Sequence, residues 1–170
     1  VLGDHWKIWN DHAKEHGHTV DRASWRLVGP MHVAPSRKQA LEEVEYGIHE
    51  WVDYFQNVVA LPLAPAESDP SKWVQALIDS GTAVIGTPDD AAAQIERLKK
   101  QSGGFGCFLI MANDWAERTA SLASYELLAK EVFPRFQGSG DWSVRSREWC
   151  RTDHDSLIGG AMNAVAQEID

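Results

Sequence analysis

Two short apolar runs, residues 82–85 and 105–111, flank an amphipathic stretch that carries its own start and stop signals. Thr87 precedes Pro88, Ile95 and Leu98 follow at helical spacing, and Gly103 and Gly104 close the stretch. A strand, a helix and a second strand in this order make a βαβ unit, and a crossover of that length joins parallel strands. The pattern predicts that the two strands are neighbours joined by a right-handed crossover. Residues 25–33, Trp-Arg-Leu-Val-Gly-Pro-Met-His-Val, read as a further strand, although Pro30 cannot donate to a central ladder.

The helical segments follow from their caps and apolar spacing. Asp4 is expected to cap a first helix bearing Trp6, Trp9 and Ala13, with Gly17 ending it. Ser36, with Gln39 as its capping-box partner, opens one long helix expected over residues 36–59, whose core stripe is Leu41, Val44, Ile48, Trp51, Phe55 and Val59. Glu42, Glu43 and Glu50 occupy its other face. Residues 61–70 read as a loop, and Asp69 with Pro70 starts a short helix through Trp73, Leu77 and Ile78 that Gly81 closes. Asp114 is expected to cap a long helix through Ala120, Ala123, Leu127, Leu128 and Phe133, stopped at Pro134. The tail from Gln137 starts Gly- and Ser-rich and carries a helix over residues 156–169.

Charge and composition narrow the classes of function. A formal charge of -9 supplies no basic surplus to neutralise phosphates, which argues against nucleic-acid or anionic-membrane partners. No apolar run is long enough to span a bilayer, and Cys107 and Cys150 make neither a metal spacing nor a disulfide framework, so a reducing cytoplasm is the expected compartment. His12, His16 and His18 gather near a helix end without the further ligands that zinc needs, and His49-Glu50 lacks a second histidine; no metal is expected.

The turn Gly86-Thr87-Pro88-Asp89-Asp90 with its helix, the segment Gly104-Phe105-Gly106 leading to a strand that ends Met111-Ala112-Asn113, and the run from Tyr125 to Val132-Phe133-Pro134-Arg135-Phe136 together resemble the last two β/α units of bacterial luciferase-like flavin-dependent monooxygenases. Ala34-Pro35-Ser36 with Ala40 resembles the preceding unit, and limonene-monooxygenase-like proteins are the nearest subgroup. The resemblance implies an α/β fold, the C-terminal part of a (β/α)8 TIM barrel with three parallel strands. It assigns residues 1–137 to barrel units and 138–170 to a C-terminal extension. A whole barrel needs eight strands and about 250 residues, and this sequence begins with Val rather than Met, so an N-terminal part of the same barrel is the expected partner.

The implied chemistry is oxidation of a small organic substrate by oxygen on reduced FMN, with a separate flavin reductase as supplier. A deazaflavin coenzyme on the same fold, or a barrel half without catalytic function acting in folding or assembly, are the alternatives. Self-association into a homo-oligomer is expected, because three parallel strands leave an open edge and leave Val84, Phe108 and Ile110 for another segment to cover.

Barrel chemistry gathers at the carboxyl ends of the strands. The candidates there are Gly86 and Thr87 for the cofactor, through free amides of a helix N-terminus, and His32, Met111, Asn113 and Trp115 for the substrate. Asp89 and Asp90 complement the helix dipole themselves, which favours a capping role for that turn. Asn113 can orient a polar group and Trp115 can offer apolar area, or both can simply support the loop. No catalytic acid or base is assigned among these residues.

Overall fold

The computed structural model describes residues 2–59 and 63–169. It divides into two compact units, Val1–Val132 and Phe133–Asp170. In the first unit β1 (Arg26–Val33), β2 (Val84–Gly86) and β3 (Cys107–Met111) form a parallel sheet in the order β2-β1-β3. The parallel direction agrees with the sequence pattern, but the predicted adjacency of β2 and β3 does not hold, since β1 lies between them. Strand length accounts for this order. Only the eight-residue β1 can pair on both sides, taking β3 along Arg26 to Pro30 and β2 along Met31 to Val33.

The same division accommodates Pro30. Ala34 donates its N–H to Gly86 O on β2, and alternate residues of a strand address the same neighbour, so Pro30 also faces the β2 side. Pairing with β2 begins only at Met31. The missing donor therefore falls where no ladder exists.

Helices cover the carboxyl half of the sheet. α1 (Leu2–Glu15) begins ahead of Asp4, which lies in its first turn rather than capping it, and Gly17 ends it with φ 73°. Its aromatic stripe is not a core stripe, because α1 buries no residue completely; Trp6 instead stacks near Trp25 with the Arg22 guanidinium 4.2 Å above its ring. The expected helix over residues 36–59 is two helices, α2 (Arg37–Val44) and α3 (Ile48–Asn57). Ser36 Oγ accepts from Gln39 N, but the Gln39 side chain turns to Glu43 instead of completing a capping box. The two helices share one apolar side, with Ala40, Val44, Ile48 and Val52 fully buried.

Steric necessity at Gly47 explains the break. A Cβ there would lie 2.0 Å from Asp114 O, and Gly47 N donates to Trp115 O. The loop after β3 thus docks directly on the α2–α3 junction. α4 (Trp73–Asp79) adds Trp73 and Leu77 to the same core, after a 3-10 turn that Asp69 caps and before Gly81 at φ 69°. Of the loop expected over residues 61–70, residues 61 and 62 lie outside the described residues.

α5 (Pro88–Ser102) carries the predicted Thr87 cap and ends at Gly103, φ 75°. α6 (Arg118–Leu127) starts later than the sequence pattern suggests: Glu117, not Asp114, is the N-cap, and its side chain makes no capping bond. Leu128–Val132 then widens into a π-helical turn. Pro134, which has no N–H to return to Lys130 O, follows this turn, and helix α7 (Phe133–Gln137) runs through it rather than stopping there.

In the second unit α7 is followed by α8 (Asp141–Thr152), in a stretch whose sequence suggested only an irregular tail, and by α9 (His154–Ile169), which starts two residues before the predicted helix. α8 buries no residue. Val84 is buried and Phe108 and Ile110 are half-buried; the exposed apolar side chains of the sheet are Val28, at 60%, and its register partner Leu109, at 48%, on the opposite face.

Candidate functional site

Because the three strands are parallel, Val33, Gly86 and Met111 end at the same side of the sheet. All six residues named from the sequence sit there, but they fall into separate arrangements.

His32 and Met111 share a face of the sheet, since Met111 pairs with Pro30, and His32 lies two residues beyond it. His32 is 3% exposed, and its Nε2 is 2.7 Å from Glu43 Oε2 of α2. Gln39 Nε2 donates to the other oxygen of Glu43 at 2.7 Å, so the carboxylate is held from two sides. This pairing ties β1 to α2 and satisfies a buried polar group that would otherwise cost free energy.

Gly86 and Thr87 form the α5 cap. Thr87 Oγ1 accepts from Asp90 N, while Asp90 Oδ2 accepts from Thr87 N at 2.9 Å. Arg37 donates two bonds to the same carboxylate, at 2.9 Å to Oδ2 and 2.5 Å to Oδ1. The Arg37 guanidinium, with help from Thr87, holds the Asp90 carboxyl well below the usual carboxylate range. A Cβ on Gly86 would meet Asp90 Oδ2 at 2.5 Å. The carboxylate therefore occupies the space over the α5 N-terminus in which a phosphate would otherwise sit.

Asn113 and Trp115 shape the loop after β3. Asn113 Nδ2 donates to Met111 O, and its Oδ1 accepts from Trp115 N, each at 3.2 Å. This Asx-type turn uses one donor and one lone pair of the amide and leaves the others free. Trp115 is 0% exposed, within the cluster that includes Ile48, Val52 and Ile85, with its ring edge-on to Trp51 at 5.2 Å. Its Nε1 has no hydrogen-bond partner among the described residues.

Beside this loop lies an open cleft of about 820 Å³, lined among others by Tyr46, Glu50, Asn113, Asp114, Arg118 and Tyr125. It joins the α2–α3 junction, the loop after β3 and the first turns of α6. Arg118 makes no ion pair or hydrogen bond among the described residues. Of the sequence candidates only Asn113 lines it. In the sequence, Tyr46 and Glu50 fall within what reads as one continuous helix, and Arg118 and Tyr125 within a helix whose cap is placed three residues too early. Among the described residues no group of three or more His, Cys, Asp or Glu side chains is placed to hold a metal ion, and no helix is long and apolar enough to cross a membrane.

No protein-family model matches the chain. It is 42% identical over 167 residues to limonene 1,2-monooxygenase of Rhodococcus erythropolis, a match spanning 98% of this chain and 42% of that protein. It is 35% identical over 148 residues to 4-hydroxyprotoasukamycin monooxygenase of Streptomyces nodosus subsp. asukaensis, covering 87% and 40% of the two chains. Among solved structures, the oxygenating constituent of 3,6-diketocamphane monooxygenase from Pseudomonas putida, a type II Baeyer-Villiger monooxygenase in complex with FMN, superposes with TM-score 0.54 at 26% identity, over 78% of this chain and 39% of that one. A monooxygenase of Streptomyces bottropensis superposes with TM-score 0.57 over 79% and 38%; at 17% identity this likeness concerns the fold. The chain spans about two fifths of the length of the curated relatives it matches. These relatives are luciferase-like flavin-dependent monooxygenases, and the chain is similar to them over most of its own length.

Proposed function

We propose that this chain is the C-terminal part of a flavin-dependent monooxygenase in which reduced FMN and oxygen oxidise a small organic substrate, and that the cleft beside Asn113 contributes to its site. The observation that carries this reading is the 42% identity to a limonene 1,2-monooxygenase over nearly the whole chain. The β2-β1-β3 order departs from the consecutive order of a (β/α)8 barrel, so the barrel reading rests on the relatives.

The cleft suits a flat heteroaromatic ligand whose anionic group lies at Arg118, among the described residues the one cation lining it beside the carboxylates of Glu50 and Asp114. Tyr46 and Tyr125 offer ring faces, Asn113 keeps a free donor and acceptor, and Arg118 supplies a cation beside a helix N-terminus that no side chain caps. Arg118, Asn113 and Tyr125 are the residues that would hold FMN or the substrate bound against it, with Met111 at the strand end below. When bound, reduced FMN supplies the electrons that activate oxygen. His32, oriented by Glu43, sets an imidazole at the end of β1. Gly86 and Thr87 would act on a cofactor only through the α5 cap, because Asp90 already fills it.

A flavin reductase acting as a separate supplier, and an N-terminal segment completing the barrel, belong to the same proposal. Anaerobic titration of the intact protein with reduced FMN, followed by absorbance, tests it. Saturable binding that Arg118→Ala weakens by about tenfold, the loss of a charged contact, is the expected result. Binding unchanged by Arg118→Ala and by Tyr125→Ala would place the flavin elsewhere.

A further inference from the structure

Helix α8 holds two tryptophans in the open, Trp142 at 73% exposure and Trp149 at 57%. With Arg145 and Ser146 they border a groove of about 430 Å³. The i, i+3, i+4, i+7 spacing places all four on one helix face. Every lining residue belongs to α8, so the groove is complete within the second unit.

Spacing and chemistry narrow what such a groove can take. Seven residues of helix rise by about 10.5 Å. Stacked aromatic rings lie with centroids about 4.5–7 Å apart, so a third ring held between two others needs about 9–14 Å in all. The separation of Trp142 and Trp149 along α8 falls inside that interval, and neither indole stacks on another ring among the described residues. Arg145 stands between them in the sequence and makes no ion pair or hydrogen bond among the described residues, whereas Arg151 reaches Glu148. No carboxylate borders the groove. It offers ring faces and donors only: two indole N–H groups, a guanidinium and a hydroxyl. A neutral aromatic would leave the guanidinium unused, and a simple anion would leave the indoles unused. A flat heteroaromatic ring with an anionic tail uses both.

We propose that this face of α8 is a second flavin site, separate from the cleft beside Asn113, in which the ring of FMN lies between Trp142 and Trp149 and its phosphate meets Arg145. The choice of FMN rests on the function proposed above. An oxygenase that receives its flavin from a separate reductase gains from a surface that captures the released cofactor. Stacking and the phosphate contact require no particular redox state, so oxidised FMN is a sufficient probe.

Equilibrium dialysis of the intact protein against oxidised FMN tests the site. Trp142→Ala should weaken the binding about tenfold by removing a stacking face, and Arg145→Ala should do so by removing a charged contact. Both side chains are on the surface of α8, so circular dichroism should show the fold unchanged, and Trp142→Tyr, which restores a ring, should recover most of the affinity. Riboflavin, which lacks the phosphate, should bind the parent protein about tenfold more weakly than FMN and be indifferent to Arg145→Ala. The FMN bound at α8 should persist in Arg118→Ala. Binding that survives both Trp142→Ala and Arg145→Ala, or riboflavin binding as tightly as FMN, overturns the inference. Loss of all FMN binding in Arg118→Ala also overturns it and leaves the cleft as the flavin site. Loss in the α8 variants with Arg118→Ala silent upholds the α8 site and removes the cleft from the proposed function instead.

Discussion

At the scale of single residues, Gly47 and Asp90 show how local chemistry holds the candidate site in place. Gly47 is glycine because the Asp114 carbonyl leaves no room for a Cβ, whose position would be 2.0 Å away. Backbone cannot yield as a flexible side chain can, so Gly47→Ala should destabilise by about 1–3 kcal/mol through overpacking. It should also shift the loop that carries Asn113, and thermal melting together with ligand titration would register both effects. Asp90 holds the Thr87 cap and the Arg37 pair together, and its folded-state pKa lies below the ordinary value of 3.8. A carboxylate with a depressed folded pKa contributes stability that is fully present above its unfolded pKa and is lost as pH falls through the folded one. Asp90→Asn should therefore reduce stability at neutral pH, and the difference from the parent protein should narrow only below about pH 4, near the ordinary aspartate value. Thr87→Ala, which removes the reciprocal cap, should cost about 1 kcal/mol. A loss of flavin affinity without any loss of stability in that variant would instead assign Thr87 to the cofactor.

At the scale of elements, the pairing of β1 with β3 makes the sharpest claim, because a barrel with consecutive strands would keep them apart. Val28 and Leu109 are register partners, and neighbouring strands lie about 4.8 Å apart, within the Cα separation a disulfide spans. Val28→Cys with Leu109→Cys should therefore cross-link on oxidation, whereas failure to do so would favour the consecutive order β1-β2-β3. Caps and stops were the most readable features of the sequence: Thr87-Pro88, Ser36, Asp69, Gly17, Gly81 and Gly103 all bound elements as their local chemistry suggests. These features act within one turn of chain. What could not be read is what depends on distant contacts. The split at Gly47 follows from a loop nearly seventy residues away in sequence, and the late start of α6 follows because Asn113 and Trp115 use residues 113–117 to build that loop first. The cleft was hidden for the same reason, since three separate elements meet to form it.

At the scale of the whole molecule, an exposed apolar pair on the sheet must be weighed against the shortness of the chain relative to its kin. Val28 is 60% exposed and Leu109 48%, although the carboxyl half of β1 is buried. Burying such side chains fully is worth about 1.5–3 kcal/mol each, and the curated relatives carry about three fifths more of their length outside the matched region. Under the proposed function, a segment equivalent to that unmatched length would cover this face. The covered and uncovered cases differ in their response to a charge. Val28→Asp in the 170-residue chain should change stability by no more than about 0.5 kcal/mol, as at an ordinary surface position. In a polypeptide of the relatives' length containing these residues, the same carboxylate would be buried without a partner and should cost several kcal/mol, on the order of 3 or more. Parallel urea unfolding of both lengths, with and without the substitution, measures the difference. Equal and small effects in both would mean that the Val28–Leu109 face stays in water, and that the sheet is completed, if at all, from its edge alone.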